Sequence, residues 1–125
     1  LSLHDALPIW VLSGKYQNGF PSDARFGVYA AMDDVRMKAQ ANRFAGERSL
    51  ALTGRYLEIA KEAGIHPVTL AMAWSLSFSF IGSSIFGVTK TSQLPEILAS
   101  ARTTIPKDVL TALDRAHADI LYPMG

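Results

Sequence analysis

The chain has 125 residues, 49% of them hydrophobic, which is enough apolar material for one folded core. Its formal net charge is +1, with acids and bases interleaved, so it offers neither a basic stripe for nucleic acid nor a polybasic anchor for a membrane. It contains no cysteine, which excludes thiolate catalysis, disulfides and cysteine-based zinc sites, and agrees with a cytoplasmic home.

The opening stretch Leu1–Ile9 (LSLHDALPI) has no basic region and no cleavage site of the kind a signal peptide needs. It matches one reading frame of a widely used short-read sequencing adapter and reads as a translated cloning or assembly scar. On that reading His4 and Asp5 carry no function. From Val11 to Phe26, glycines and a proline (Gly14, Gly19, Pro21, with Gly27 just beyond) punctuate a long expected surface loop. Asp33 or Asp34 then stands ready to cap a polar helix reaching about Arg43.

Between Glu47 and Ala63, Leu52, Tyr56, Ile59, Ala60 and Ala63 recur at helical spacing, and Gly64 supplies a left-handed stop. Pro67 suits the first position of a following helix through Leu70, Ala71 and Trp74 to about Phe78, rich in small residues and expected to be buried on several sides. The longest apolar stretch, Leu70 to Ile81, is broken by serines and is too short to cross a bilayer. Ser83–Val88 reads as a short buried strand. A helix from about Thr91 to Ala101 should turn Leu94, Ile97, Leu98 and Ala101 inward, with Pro95 tolerated in its first turn. Pro106 opens the last helix, with Val109, Leu110, Leu113 and His117 on one stripe. A single strand cannot stand without neighbours. The pattern is therefore either a helical domain with one extended segment or a piece of a larger α/β protein, and the adapter-like opening favours the second.

The chemistry concentrates at Gly87-Val88-Thr89-Lys90-Thr91-Ser92-Gln93-Leu94-Pro95-Glu96. A glycine lets a ligand approach the backbone, a helix start offers hydroxyl and amide donors, and Lys90 adds a cation, all suited to phosphate. His66 and His117 have no carboxylate or cysteine at metal spacing, so no metal site is expected. Ser13-Gly14-Lys15-Tyr16 lacks the first glycine and the closing Ser/Thr of a P-loop, so a nucleoside triphosphatase is rejected.

Leu12-Ser13-Gly14-Lys15-Tyr16 and the later Gly87-x-Thr89-x-x-x-Gln93-Leu94-x-Glu96, with the helix pair around Ile59–Gly64 and Pro67–Trp74 and the ending Ile120–Pro123, resemble the aldo-keto reductase superfamily. The resemblance is closest to the branch holding potassium-channel β subunits and related bacterial reductases, and it runs from Val11 to Gly125. It implies an α/β fold in which residues 11–125 form the C-terminal part of a (β/α)8 barrel, mostly helical with one barrel strand near Ser83–Val88. It further implies NADP(H) as cofactor and a small-molecule carbonyl substrate, while the charge balance leaves no nucleic-acid or membrane partner expected. Carried over by motif, Lys15 contacts a phosphate and Arg25 the adenosine-phosphate end. Gly87, Thr89 and Gln93 hold the 2′-phosphate and adenine end, Glu96 lies on the adenine side, and Lys90 favours NADP over NAD by its charge.

Two positions depart from the pattern: Ile97 stands where Asn is common, and Trp10 where a small glycine is usual. The Tyr, Lys, Asp and His of the superfamily's chemistry belong to earlier barrel strands, so Tyr16, Tyr29, Tyr56 and Tyr122 are not the acid and no residue here is assigned to catalysis. The implied activity of the parent is reduction of aldehydes or ketones. A cofactor-binding regulatory subunit with a protein partner and a free-standing helical interaction domain are the alternatives.

Overall fold

A computed structural model describes residues 9–88 and 90–120, and the architecture is a stack of helices around one main apolar core. The adapter-like residues Leu1–Pro8, the ending from Leu121 onward and Thr89 lie outside the described residues. The first element, α1 (Ile9–Leu12), is a single helical turn whose Val11 and Leu12 are buried. This corrects the expectation of a surface loop in part: Val11, Leu12 and Tyr16 are buried, and Phe26 packs against Tyr16 at 5.2 Å between ring centroids, whereas residues 18–23 form the exposed loop expected. Arg25–Ala31 forms a second helix, α2, with Phe26 and Gly27 buried. Periodicity missed it because only a narrow part of its surface is apolar and covered.

Helix α3 (Val35–Phe44) is capped as expected, the Asp34 carboxylate accepting the N–H groups of Arg36 and Met37. Phe26 stacks on Phe44 at 5.5 Å, which fixes α2 against α3. In α4 (Glu47–Glu62) the buried positions Leu52, Tyr56 and Ala60 follow the four-residue step of one helix face. It ends where Gly64 takes φ +65°, a left-handed conformation that glycine adopts without a Cβ penalty.

Helix α5 (Pro67–Leu76) starts on Pro67 and buries Val68 through Ala73 without interruption. Its small and apolar residues allow α1, α4 and α6 (Leu94–Ala99) to pack on different sides of it. The Tyr56 hydroxyl donates to the Pro67 carbonyl and pins α4 to α5 at the bend. Helix α7 (Lys107–Asp119) lays Val109, Leu113 and Ala116 against α4, and at the surface Arg55 reaches Asp119 at 2.9 Å.

Two expectations need correction. Residues 83–88 form no strand, because among the described residues no other strand is present to pair with their backbone. Ile85 is 95% exposed, and Phe86 and Val88 are partly so, at 41% and 36%, so this run is not buried as expected. The second concerns the segment after it. It is a 3-10 turn at Thr91–Gln93, the helix α6, and a second 3-10 turn at Ser100–Arg102. The change of pitch rotates its faces, so Ile97 is buried as expected whereas Leu98 and Ala101 are exposed.

Candidate cofactor site

Lys15 sits just after a turn that only a special backbone allows. Gly14 has φ +84°, and a Cβ there would meet Leu57 Cδ1 at 2.8 Å. That turn carries the chain from buried Leu12 to buried Tyr16 and leaves Lys15 between two rings. Its ammonium lies 5.4 Å from the Trp10 ring centroid and 5.1 Å from that of Tyr16. Desolvation lowers the Lys15 pKa from the usual lysine range, the positive charge of Arg25 lowers it further, and Asp23 opposes them. Lys15, Asp23 and Arg25 therefore share one electrostatic neighbourhood.

Lys90 joins it from the other half of the chain. Its ammonium is 3.5 Å from Asp23 Oδ2, and both side chains are largely exposed. Trp10 makes a second link: its indole N–H donates to the Gly87 carbonyl at 3.0 Å, while the residue packs beside Val68, Met72 and Ile97. The turn before α6 is thus held against the α1 turn, which brings Lys15, Arg25, Gly87 and Lys90 to one region. Around Gly87 a Cβ would meet nothing within 4 Å, so the backbone is open to close approach.

Gln93 folds back on the same turn, its Oε1 accepting the Lys90 N–H at 3.2 Å. This fixes the local loop much as a capping box does. Glu96, one turn further, faces α5. Thr69 Oγ1 lies 2.7 Å from its carbonyl oxygen and 3.1 Å from its carboxylate Oε2. His66 Nδ1 is 3.5 Å from the same carboxylate oxygen, but it also accepts the Val68 N–H at 3.3 Å as the cap of α5. Of the residues singled out in the sequence, Lys90 pairs with Asp23, Lys15 lies in the field of Asp23 and Arg25 and over the Trp10 ring, Gly87 accepts from Trp10, Gln93 binds the Lys90 N–H, Glu96 turns to α5, and Thr89 lies outside the described residues.

Asp23, Trp10 and Thr69 were not singled out as site residues by sequence reasoning. Asp23 carried one usable signal, an acid between the loop lysine and Arg25. Thr69 carried none, since its partner is 27 positions away. Among the described residues there is no group of three or more metal-ligating side chains, and no helix is long and apolar enough to cross a membrane.

Comparison with known proteins gives this arrangement its context. Residues 14–118 match the model of the aldo/keto reductase family, and the chain belongs to that family. It is 27% identical to Protein tas of Escherichia coli (strain K12) over 124 residues, 98% of this chain and 33% of that protein. A probable voltage-gated potassium channel subunit beta of Oryza sativa subsp. japonica is 33% identical over 109 residues, 86% of this chain and 31% of the relative. Its counterpart in Arabidopsis thaliana is 37% identical over 87 residues, 69% of this chain and 25% of the relative. The chain therefore spans about a third or less of the length of these relatives. Membership implies a (β/α)8 barrel, the architecture in which sites gather at one face.

Proposed function

We propose that this chain is the cofactor-grasping, C-terminal portion of an NADP(H)-dependent oxidoreductase that reduces aldehydes or ketones to alcohols. The observation that carries the reading is a run of charges beside the open backbone at Gly87: Lys90 pairs with Asp23 at 3.5 Å, and Lys15 lies within the electrostatic reach of both Asp23 and Arg25. Three positive charges and one negative charge leave an excess that suits a phosphate, while the lowered proton affinity of Lys15 comes first from desolvation and then from the charge of Arg25. The donor set fits a phosphorylated dinucleotide. Lys15 and Arg25 would hold its phosphates, and Gly87, Thr89, Lys90 and Gln93 the 2′-phosphate end. Glu96 would serve the adenine.

The nicotinamide, when bound, supplies the hydride for carbonyl reduction. The residues of this chain bind and orient, while the proton-donating Tyr and its Lys, Asp and His partners come from upstream barrel strands. In that barrel Ser83–Val88 becomes a strand, and its exposed Ile85 and Phe86 gain cover. The parent works in the cytoplasm on a small carbonyl compound.

The test has two parts. The first is to recover the DNA upstream of Val11 and look for in-frame barrel strands with the Tyr, Lys, Asp and His set. The second is to titrate NADPH and assay aldehyde reduction on the whole protein. NADPH binding with aldehyde turnover is the expected result, and the 125-residue chain alone should be loosely packed and bind NADPH poorly. A sharp unfolding transition with tight NADPH binding by this chain alone would overturn the view that it needs the rest of the barrel.

A second reading is favoured by the 33% and 37% identities to proteins described as channel β subunits. Here the parent is a cofactor-binding regulatory subunit, with redox chemistry subordinate to a protein partner. An upstream segment lacking the Tyr/Lys/Asp set, with NADPH binding intact, would select it.

A further inference from the structure

Thr69 is a buried polar residue on the third position of α5, and its hydroxyl faces another element rather than its own helix. Its single proton is shared between the main chain of Glu96, at 2.7 Å, and the Glu96 carboxylate Oε2, at 3.1 Å. One hydroxyl thus grips both ends of the same residue. His66 does not duplicate this role. While its Nδ1 accepts the Val68 N–H, that nitrogen has no proton to give the carboxylate 3.5 Å away. The Glu96 side chain is 44% exposed, so one oxygen is anchored at the protein while the residue still meets solvent.

We infer that Thr69 is a positioning residue for purine recognition: it anchors Glu96 Oε2 so that the other carboxylate oxygen accepts a hydrogen bond from the exocyclic amine of the cofactor's adenine. The inference rests on the reading of Glu96 as an adenine-side contact and deepens it. An unanchored surface glutamate samples many rotamers and loses that freedom when it binds. Thr69 fixes the side chain before the ligand arrives. A carboxylate accepts from an amine and repels a carbonyl oxygen, so the anchored Glu96 should distinguish adenine from hypoxanthine, which carries a C6 carbonyl instead.

The experiment measures Kd on the whole protein, by fluorescence titration, for NADPH and for its reduced hypoxanthine analogue. Wild type should prefer NADPH by about tenfold, the scale of one charge-assisted hydrogen bond. Thr69→Val, which keeps shape and removes the hydroxyl, and Glu96→Ala should each bring the ratio close to one. Thr69→Ser should restore it. The ratio reports purine recognition alone, so a uniformly loosened fold does not change it. Thr69→Ala is the substitute if the valine variant does not fold. Loss of the preference in Glu96→Ala with full preference in the hydroxyl-less Thr69 variant overturns the inference and leaves the Glu96 reading standing. No preference in wild type, or full preference in Glu96→Ala, overturns the reading of Glu96 and the inference with it.

Discussion

The carboxylate of Asp23 and the ammonium of Lys90 lie 3.5 Å apart, tying the loop before α2 to the turn before α6. Both groups are exposed, so the pair itself adds little to stability. Its consequence is electrostatic: Asp23 offsets the charge of Lys90 and, at longer range, that of Lys15. Asp23→Asn should therefore tighten NADPH binding by about threefold, while Lys90→Ala should weaken NADPH by roughly tenfold and NADH much less. Parallel titrations of the two dinucleotides on the whole protein check both. Equal losses for NADPH and NADH in Lys90→Ala would remove Lys90 from the 2′-phosphate.

The proposed role of Lys15 carries a pH dependence with a definite sign. Only the ammonium form attracts a phosphate, and desolvation together with Arg25 makes this lysine release its proton at lower pH than an ordinary one. NADPH affinity should therefore be full at neutral pH and fall as pH rises, starting below the usual lysine value of about 10.4. Lys15→Arg should flatten that alkaline fall, since a guanidinium keeps its charge throughout. Kd measured from about pH 7 to about pH 10 decides, and an unchanged fall in the arginine variant would assign it elsewhere.

Gly27 should tolerate no side chain. A Cβ there would sit 1.8 Å from the Pro21 carbonyl oxygen, and a backbone atom cannot swing aside as a flexible side chain does. Gly27→Ala should cost about 1–3 kcal/mol and displace α2 with the Tyr16–Phe26 pair. Urea unfolding measures the first. NADPH affinity should fall as well, because Arg25 opens the same helix.

Tyr56 is buried, and its hydroxyl donates to the Pro67 carbonyl, with burial holding the phenol far above the usual tyrosine range. Tyr56→Phe should cost about 1–2 kcal/mol, because the ring still fills its place while a carbonyl loses its donor. An unfolding midpoint equal to wild type would show that solvent replaces the bond at no cost.

The strongest signals in the sequence came from local physics. Proline at the start of α5, the carboxylate of Asp34, the left-handed glycine at position 64 and the apolar step through Leu52, Tyr56 and Ala60 each depend on residues within a turn or two. These elements appeared where the spacing placed them. The family itself was legible, because the order of Lys15, Gly87 and Gln93 matched its motifs, while Lys90 was singled out by its charge alone.

What the tertiary structure decided was long-range. Tyr16, Phe26 and Phe44 are separated in the chain, and their ring contacts bury Tyr16 and the start of α2, while residues 18–23 between them remain an exposed loop as expected. Ser83–Val88 has strand composition, yet a strand is made by its neighbour's backbone, and among the described residues none is present to pair with it. The same reason separates the site residues. Motif singled out Lys15 and charge Lys90 as candidates in the sequence. The packing of Trp10 against Gly87, and the reach of Asp23 and Thr69 across the fold, decided which of the named residues meet and which way Glu96 faces. Local preference acts through bonds along the chain, whereas a binding site is assembled through space.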